Sequence, residues 1–374
     1  MQTKIIFLTN IQFMLHHVND MYVDEISSEF FVEMWDLSHI YGVYDESNFS
    51  GALKIESISQ FSEGLLKFKN DFRVLVITNI LNAKLKLIYT ILKKYDIPII
   101  CISKDSFAAS LEKRGKLRYL RYFRKEEQLR SILKATPILK HILEKRSVRG
   151  LPYDYLMGGS NYYPEQSRCF LRIHQIKYDE FLRAKTCDSI VKGKYLLYVG
   201  SAPTTHPMYC NKSNSLNHED YMCAMRSYFE KVEKDIGLEI VISGHPKGRY
   251  LAKDWGGRKI YIGNTAELIH HCEGVICHFS TSLVNAVLEY KPIQILYNKE
   301  MLSSAYGPSM VSGLELGRIC KTDVCDINDY HKWNLDVNKL AFDEFLENEI
   351  VYIQDKRKSN SELICGYLKE ISKY

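Results

Sequence analysis

The sequence predicts an α/β protein of two domains, each built on a parallel sheet. Three observations carry that expectation. Apolar runs of strand length, such as Arg73–Thr78 (RVLVIT) and Val275–His278, alternate with stretches of helical spacing, the mark of strand–helix–strand units. The 374 residues exceed what one hydrophobic core usually organises. Several of the strand-like runs end in glycine- or hydroxyl-rich turns, which is where open α/β sheets place their ligands.

Composition narrows the class. Hydrophobic residues at 46% and charged residues at 25% are ordinary globular values and exclude a globally disordered chain. Ten cysteines include no CxxC pair, and the apolar run Ile5–Leu8 is too short for a secretory leader. Both point to reduced thiols and a cytoplasmic protein. No apolar stretch approaches the roughly 20 residues needed to span a bilayer. The net charge of +5 conceals an asymmetry, because residues 111–150 carry 13 Lys/Arg against 4 Asp/Glu. In that segment arginines interleave with Leu117, Leu120, Tyr122, Phe123, Leu129 and Ile132. The mixture fits peripheral contact with an anionic membrane surface better than a bare arm for nucleic acid, and a solvated helical face is the plain alternative.

In chain order, Lys4–Asn10 reads as the first buried strand, Gln60–Lys69 as helix, Arg73–Thr78 as strand, Leu81–Tyr95 as helix and Ile97–Ile102 as strand. Tyr153–Gly159 reads as a strand closing on the turn Gly158-Gly159, followed by a short strand at Arg172–His174 and a helix opening at Tyr178. The boundary between domains is expected at 186–192, giving 1–185, 193–350 and a C-terminal helix at 351–374. The second domain opens with strand Lys194–Gly200 and the polar loop Ser201–Asn217. A helix over His218–Asp235 then leads to strand Leu238–Ser243 and strand Lys259–Ile262. A helix capped by Asn264 or Thr265, the strand Val275–His278, a helix over Leu283–Tyr290 and the strand Ile293–Tyr297 complete it.

Two strand ends carry the chemistry. In Gly244-His245-Pro246-Lys247 the glycine permits close approach, the proline fixes the turn, and His245 and Lys247 can donate to a phosphate oxygen. A solvated surface turn is an equally simple reading of these four residues. Ser280-Thr281-Ser282 joins a strand to a helix. One hydroxyl suffices as a cap, so three in a row leave donors to spare for an anion. Thr265 and Glu267 open a similar turn that is by itself structural. His270, His271, Cys272, Cys277 and His278 lack the spacing of a structural zinc site, and no DxD-type motif calls for a divalent cation, so neither metal nor cofactor is expected. No GxGxxG, GxxxxGK[ST] or GxSxG occurs, which removes the usual support for a dehydrogenase, a P-loop NTPase or an α/β-hydrolase.

The His-Pro turn after a strand, the Ser/Thr-rich strand-to-helix turn further on, and Lys291-Pro292 before the next strand together resemble bacterial GT-B-type glycosyltransferases of surface polysaccharide biosynthesis. The nearest groups are the polysialyltransferases and the CDP-glycerol glycerophosphotransferase-like enzymes. Gly158-Gly159, Tyr178-Asp179 and the loop Pro203–Pro207 with His206 look like the same families. The likeness spans roughly residues 150–300. It implies two Rossmann-like domains facing a cleft, with the C-terminal helix crossing back. It further implies a metal-independent transfer of sugar from a CMP- or CDP-linked donor to a glycan or glycolipid acceptor of capsule or lipopolysaccharide type. Gly244, His245, Pro246, Lys247, Thr265, Glu267, Ser280, Thr281 and Ser282 would hold the nucleotide and its phosphate, and His206, Gly158 and Gly159 would line the cleft. The general base has no legible motif. Asp20, Asp24 and Glu25 are candidates because they follow the first strand. Two alternatives stand beside this reading: a non-catalytic nucleotide-binding or scaffold protein, and a sugar-nucleotide 2-epimerase of similar architecture.

Overall fold

The structure is a computed structural model that describes residues 2–42, 51–80, 82–103, 111, 152–159, 167–352, 355 and 357–374. It divides into two compact units. The first comprises the described residues before 104, those from 152 to 176 and those from 351 onward; the second holds 177–350. Apart from Leu111, the basic segment 111–150 lies outside the described residues.

Seven strands build the first unit: β1 (Gln2–Thr9), β2 (Phe31–Asp36), β3 (Leu53–Lys54), β4 (Phe72–Thr78), β5 (Ile99–Ile102), β6 (Tyr153–Gly158) and β7 (Ser167–Arg172). All pair in parallel, in the order β3-β2-β1-β4-β5-β6-β7. Alternation along each strand sends neighbouring side chains to opposite faces. Ile5, Phe7, Leu75, Ile77, Ile100 and Ile102 therefore join one core, which the tail helix Asn360–Ile371 completes with Leu363, Ile364 and Leu368. Ile6, Leu8, Val74, Val76, Ile99 and Cys101 join the other, with Phe61 and Leu65 of the helix Ile58–Lys69 and Ile88 and Leu92 of the helix Asn82–Lys94. Burial on both faces explains why β1, β4 and β5 are nearly unbroken apolar runs.

The returning tail is held by polar groups as well. The N–H of His174 donates to Asn360 Oδ1 at 2.8 Å, Asn360 Nδ2 donates to the Tyr22 hydroxyl at 3.1 Å, and the Tyr352 N–H donates to His174 Nδ1 at 2.9 Å. His174 and Asn360 are fully buried, so this is an internal joint of the unit.

The second unit repeats the design with β8 (Tyr195–Val199), β9 (Glu239–Gly244), β10 (Ile260–Ile262), β11 (Gly274–Cys277), β12 (Ile293–Tyr297) and β13 (Asp323–Asp326). The order is β10-β9-β8-β11-β12-β13, again parallel throughout. The long helix His218–Ile236 starts where Asn217 Oδ1 accepts the N–H groups of Glu219 and Asp220 at 2.9 and 3.1 Å. The helix Lys177–Ala184 buries Tyr178, Phe181 and Ala184 and packs on the helices Thr265–His271 and Leu283–Leu288, which assigns it to this unit. The division thus falls ahead of that helix, whereas the sequence placed it after.

Both sheets reverse direction of strand order once, between β1 and β4 and between β8 and β11. Crevices outside the carboxyl ends of strands at such switch points are where open α/β sheets bind ligands.

Candidate functional site

In the second unit the switch point is flanked by the loops after β8, β9 and β11. The loop after β8 contains Ala202 at a φ of 50°, a left-handed conformation that a non-glycine residue rarely keeps without outside support. Support comes from the loop after β9. The Arg249 N–H donates to Thr205 Oγ1 at 3.1 Å, and the Gly200 N–H donates to the Ser243 carbonyl at 2.8 Å. Tyr250 sits between the two loops: its hydroxyl oxygen accepts the His245 N–H at 3.0 Å. A Cβ on Gly200 would come within 2.5 Å of the Tyr250 oxygen, and one on Gly248 within 2.4 Å of Ala202 Cβ, so glycine at both places is what lets the loops close on each other.

His245 and His206 meet at this junction, with ring centroids 4.9 Å apart at an interplanar angle of 71°. His245 Nδ1 accepts the N–H of Lys247 at 3.1 Å, and His206 Nδ1 accepts the N–H of Met208 at 3.1 Å. A nitrogen that accepts carries no proton, so each neutral ring is the Nε2–H tautomer. Burial is the main cause that lowers both pKa values; at His245 the neighbouring His206 and then Lys247 add to it, and at His206 Lys247 does. Both rings are accordingly neutral donors near pH 7. Lys247 itself is exposed, as is Pro246.

The loop after β11 offers hydroxyls. Ser280 Oγ accepts the N–H of Ser282 at 3.2 Å and so serves its own turn. The N–H groups of Leu283, Val284 and Asn285 donate to the carbonyls of Ser280, Thr281 and Ser282, so the first turn of this six-residue helix is already closed and the hydroxyls are the groups left to a ligand. Among the described residues the hydroxyls of Thr281 and Ser282 have no hydrogen-bond partner. The amide of Asn285 has none either, although its side chain is buried. Tyr306 ties this loop to the one after β8, donating to Ser201 Oγ at 2.7 Å and lying 3.4 Å from the Phe279 carbonyl oxygen. Beneath the loop His278 is fully buried, with Nδ1 at 2.8 Å from the Leu296 carbonyl and Nε2 at 2.8 Å from the Tyr221 hydroxyl, which in turn meets the Tyr198 hydroxyl at 2.9 Å. Burial depresses the His278 pKa to about 4.

The remaining candidates scatter. Thr265 Oγ1 pairs with Ser243 Oγ at 2.7 Å, and Asn264 is the N-cap residue without a side-chain bond. Glu267 is half-buried in the first turn of that helix. His270 Nδ1 is hydrogen-bonded to Glu289 Oε1 at 2.7 Å, while Cys272 and Cys277 are buried and burial pushes the Cys272 thiol up to about 12, so the cysteine–histidine cluster is taken apart by packing. Gly158 ends β6, and a Cβ on Gly159 would lie 2.3 Å from the Gln175 nitrogen, so Gly159 serves close chain packing in the first unit. Asp20 closes the helix Leu15–Asp20, and Asp24 and Glu25 are exposed in the first turn of Val23–Ser27, also in the first unit.

No family model matches the chain, and no curated protein matches it. Solved structures do. Arabidopsis thaliana UGT89C1 superposes with a TM-score of 0.50 at 7% identity over 100% of both chains. The same protein complexed with UDP-L-rhamnose gives 0.50 at 7% over 100% of this chain and 99% of that one. Phytolacca americana UGT2, complexed with UDP-2-fluoro-glucose and pterostilbene, gives 0.48 at 10% over 100% of both. The chain has a GT-B-type fold. No helix among the described residues is long and apolar enough to cross a membrane.

Two residues of this GT-B second unit escaped the sequence reading, Tyr250 and Tyr306. Tyrosine is common here, with 26 in the chain, so neither stood out. The signal that could have found Tyr250 is the run of small residues at Gly200, Gly244 and Gly248, whose vacant Cβ positions surround one ring.

Proposed function

We propose that the protein is a glycosyltransferase whose second unit binds a nucleotide-activated sugar, CMP- or CDP-linked, at the carboxyl edge of β8, β9 and β11. The observation that carries this reading is the neutral Nε2–H of His245, in the loop after β9 next to the switch-point strand β8, with Thr281 and Ser282 in the loop after β11 on the other side of β8. In the transfer, the bond between the sugar's anomeric carbon and the phosphate oxygen breaks, and the electron pair stays on that oxygen. Donors already aimed at the developing charge lower the barrier because they need no reorganisation. The acceptor oxygen bonds to the anomeric carbon in place of the phosphate oxygen while the hydroxyl proton passes to a base, for which Asp20, Asp24 and Glu25 are the candidates to rank by alanine replacement. Lys247 adds positive charge to the phosphate side, and Thr265 and Glu267 lie along the same edge of the sheet. The acceptor is a glycan or glycolipid of bacterial surface polysaccharide biosynthesis, with the basic segment 111–150 holding the enzyme near a membrane-linked acceptor.

Thermal-shift measurement against CMP, CDP, UDP and GDP tests this directly. Stabilisation by CMP or CDP is expected, because a ligand that binds only the folded state raises its melting temperature. His245→Ala should leave the fold intact and lower turnover on the stabilising donor about 100-fold, the usual scale for losing one preorganised donor. Stabilisation by UDP alone would reassign the donor. No response to any nucleotide would overturn the enzymatic reading.

A further inference from the structure

The dipeptide His-Pro occurs twice in the chain, at His206-Pro207 and His245-Pro246. One turn follows β8 and the other β9, strands that pair side by side with Val199 opposite Ser243. The two turns use the same local device: the histidine's Nδ1 accepts the N–H two residues ahead, at 3.1 Å in both. The device fixes the ring and the tautomer together, leaving the proton on Nε2, on the far side of the ring from its own turn. The rings then touch edge to face across the 4.9 Å gap between centroids. Among the described residues neither Nε2 has a hydrogen-bond partner, and no carboxylate pairs with either ring. His218, the nearby histidine on the following helix, is instead engaged by Thr204 at 2.8 Å and Asp254 at 3.5 Å.

Two matched donors without a local acceptor suit an anion. They do not suit a metal, because a bare Nε2 would require a proton on Nδ1, facing the backbone N–H that it now accepts. Lys247, within the second turn, supplies the cationic background. We propose that the twin His-Pro turns act as one clamp, in which the Nε2–H groups of His206 and His245 donate together to a single phosphoryl group of the nucleotide. The clamp rests on the nucleotide-binding reading above and extends it by giving His206, the more buried of the two, a direct part in holding the ligand.

Asparagine separates the ring's two roles. His206→Asn and His245→Asn keep an oxygen that can accept the same N–H in an Asx turn but remove the Nε2–H. Calorimetric titration with CMP and CDP should show each variant binding roughly 10-fold more weakly, the scale of one hydrogen bond to a charged group. Nitrogen-15 spectra of the free wild-type protein should show both rings as Nε2–H tautomers, and both should shift on adding the nucleotide or inorganic phosphate. Wild-type affinity in His206→Asn beside a loss in His245→Asn overturns the clamp and spares the nucleotide reading. If no nucleotide binds, that reading falls, and the phosphate titration decides the clamp alone: an unmoved His206 ring overturns it.

Discussion

The two sheets have one strand order and two different carboxyl edges. In the first unit the two threonines that close β1 and β4 at the switch point are engaged locally. Thr9 Oγ1 donates to the Ile11 carbonyl at 2.6 Å, while Thr78 Oγ1 donates to the Leu8 carbonyl at 2.9 Å and accepts the Ile80 N–H at 3.0 Å. In the second unit the equivalent edge keeps donors in hand: two Nε2–H groups and two hydroxyls on loops braced by Tyr250 and Tyr306, and a buried amide at Asn285 on the helix Leu283–Leu288. A shared topology therefore sets where a ligand could sit, and the partners of individual side chains set whether it can. That is why we propose the second unit for the nucleotide.

The largest effect expected from this contrast is acid sensitivity through His278. Its pKa falls from 6.5 to about 4 on folding. The unfolded chain thus takes up a proton that the folded one refuses, so the stability is fully present above pH 6.5 and is lost as pH falls towards 4. The whole loss amounts to about 3 kcal/mol for this group, and His206 and His245 shift in the same direction. Urea unfolding between pH 7 and pH 4.5 should show the decline, and His278→Gln should flatten it; an unchanged slope in the variant would place the acid weakness elsewhere. A matched pair of substitutions sharpens the contrast further. Tyr306→Phe and Thr78→Val should each cost about 1 kcal/mol, the net worth of an ordinary hydrogen bond. Only Tyr306→Phe should also weaken nucleotide binding several-fold, and equal binding losses in the two would break the distinction between the edges. The smallest effect concerns Asn285. Because its buried amide lacks a partner, Asn285→Leu should be neutral or stabilising by up to about 1 kcal/mol in thermal melts without nucleotide; a clear destabilisation would mean that the amide is already engaged.

The central strands were legible because they are covered on both faces. β1, β4, β8, β9, β11 and β12 all fall within a residue or two of their apolar runs. Among strands nearer the sheet edges, β6 and β10 were read but β2, β7 and β13 were not. β2 (FVEMWD) and β13 (DVCD) interleave charged residues with apolar ones because each is only partly covered, and β7, at the end of its sheet, alternates half-buried with exposed positions over Ser167–Phe170. The helix Gly307–Cys320 carries Gly313 and Gly317, which propensity counts against. Packing explains them: a Cβ on Gly313 would lie 2.0 Å from the His278 carbonyl oxygen. At the site, the motif residues were readable as types, whereas the tautomers, the pairing of His206 with His245 and the bracing tyrosines depend on contacts between distant segments that no local pattern encodes.

The tail gives the chain an unusual order of assembly. Leu363, Ile364 and Leu368 complete a core that begins at Ile5 and Phe7, and the His174–Asn360 joint closes only when both ends are present. During synthesis the second unit therefore has its whole sequence available before the first can finish, although the first begins earlier. The half-built sheet must wait, with one apolar face only partly covered, while some 170 intervening residues are made. A ribosome pausing in that interval holds a sticky intermediate, which makes this segment of translation the window in which chaperone capture matters most.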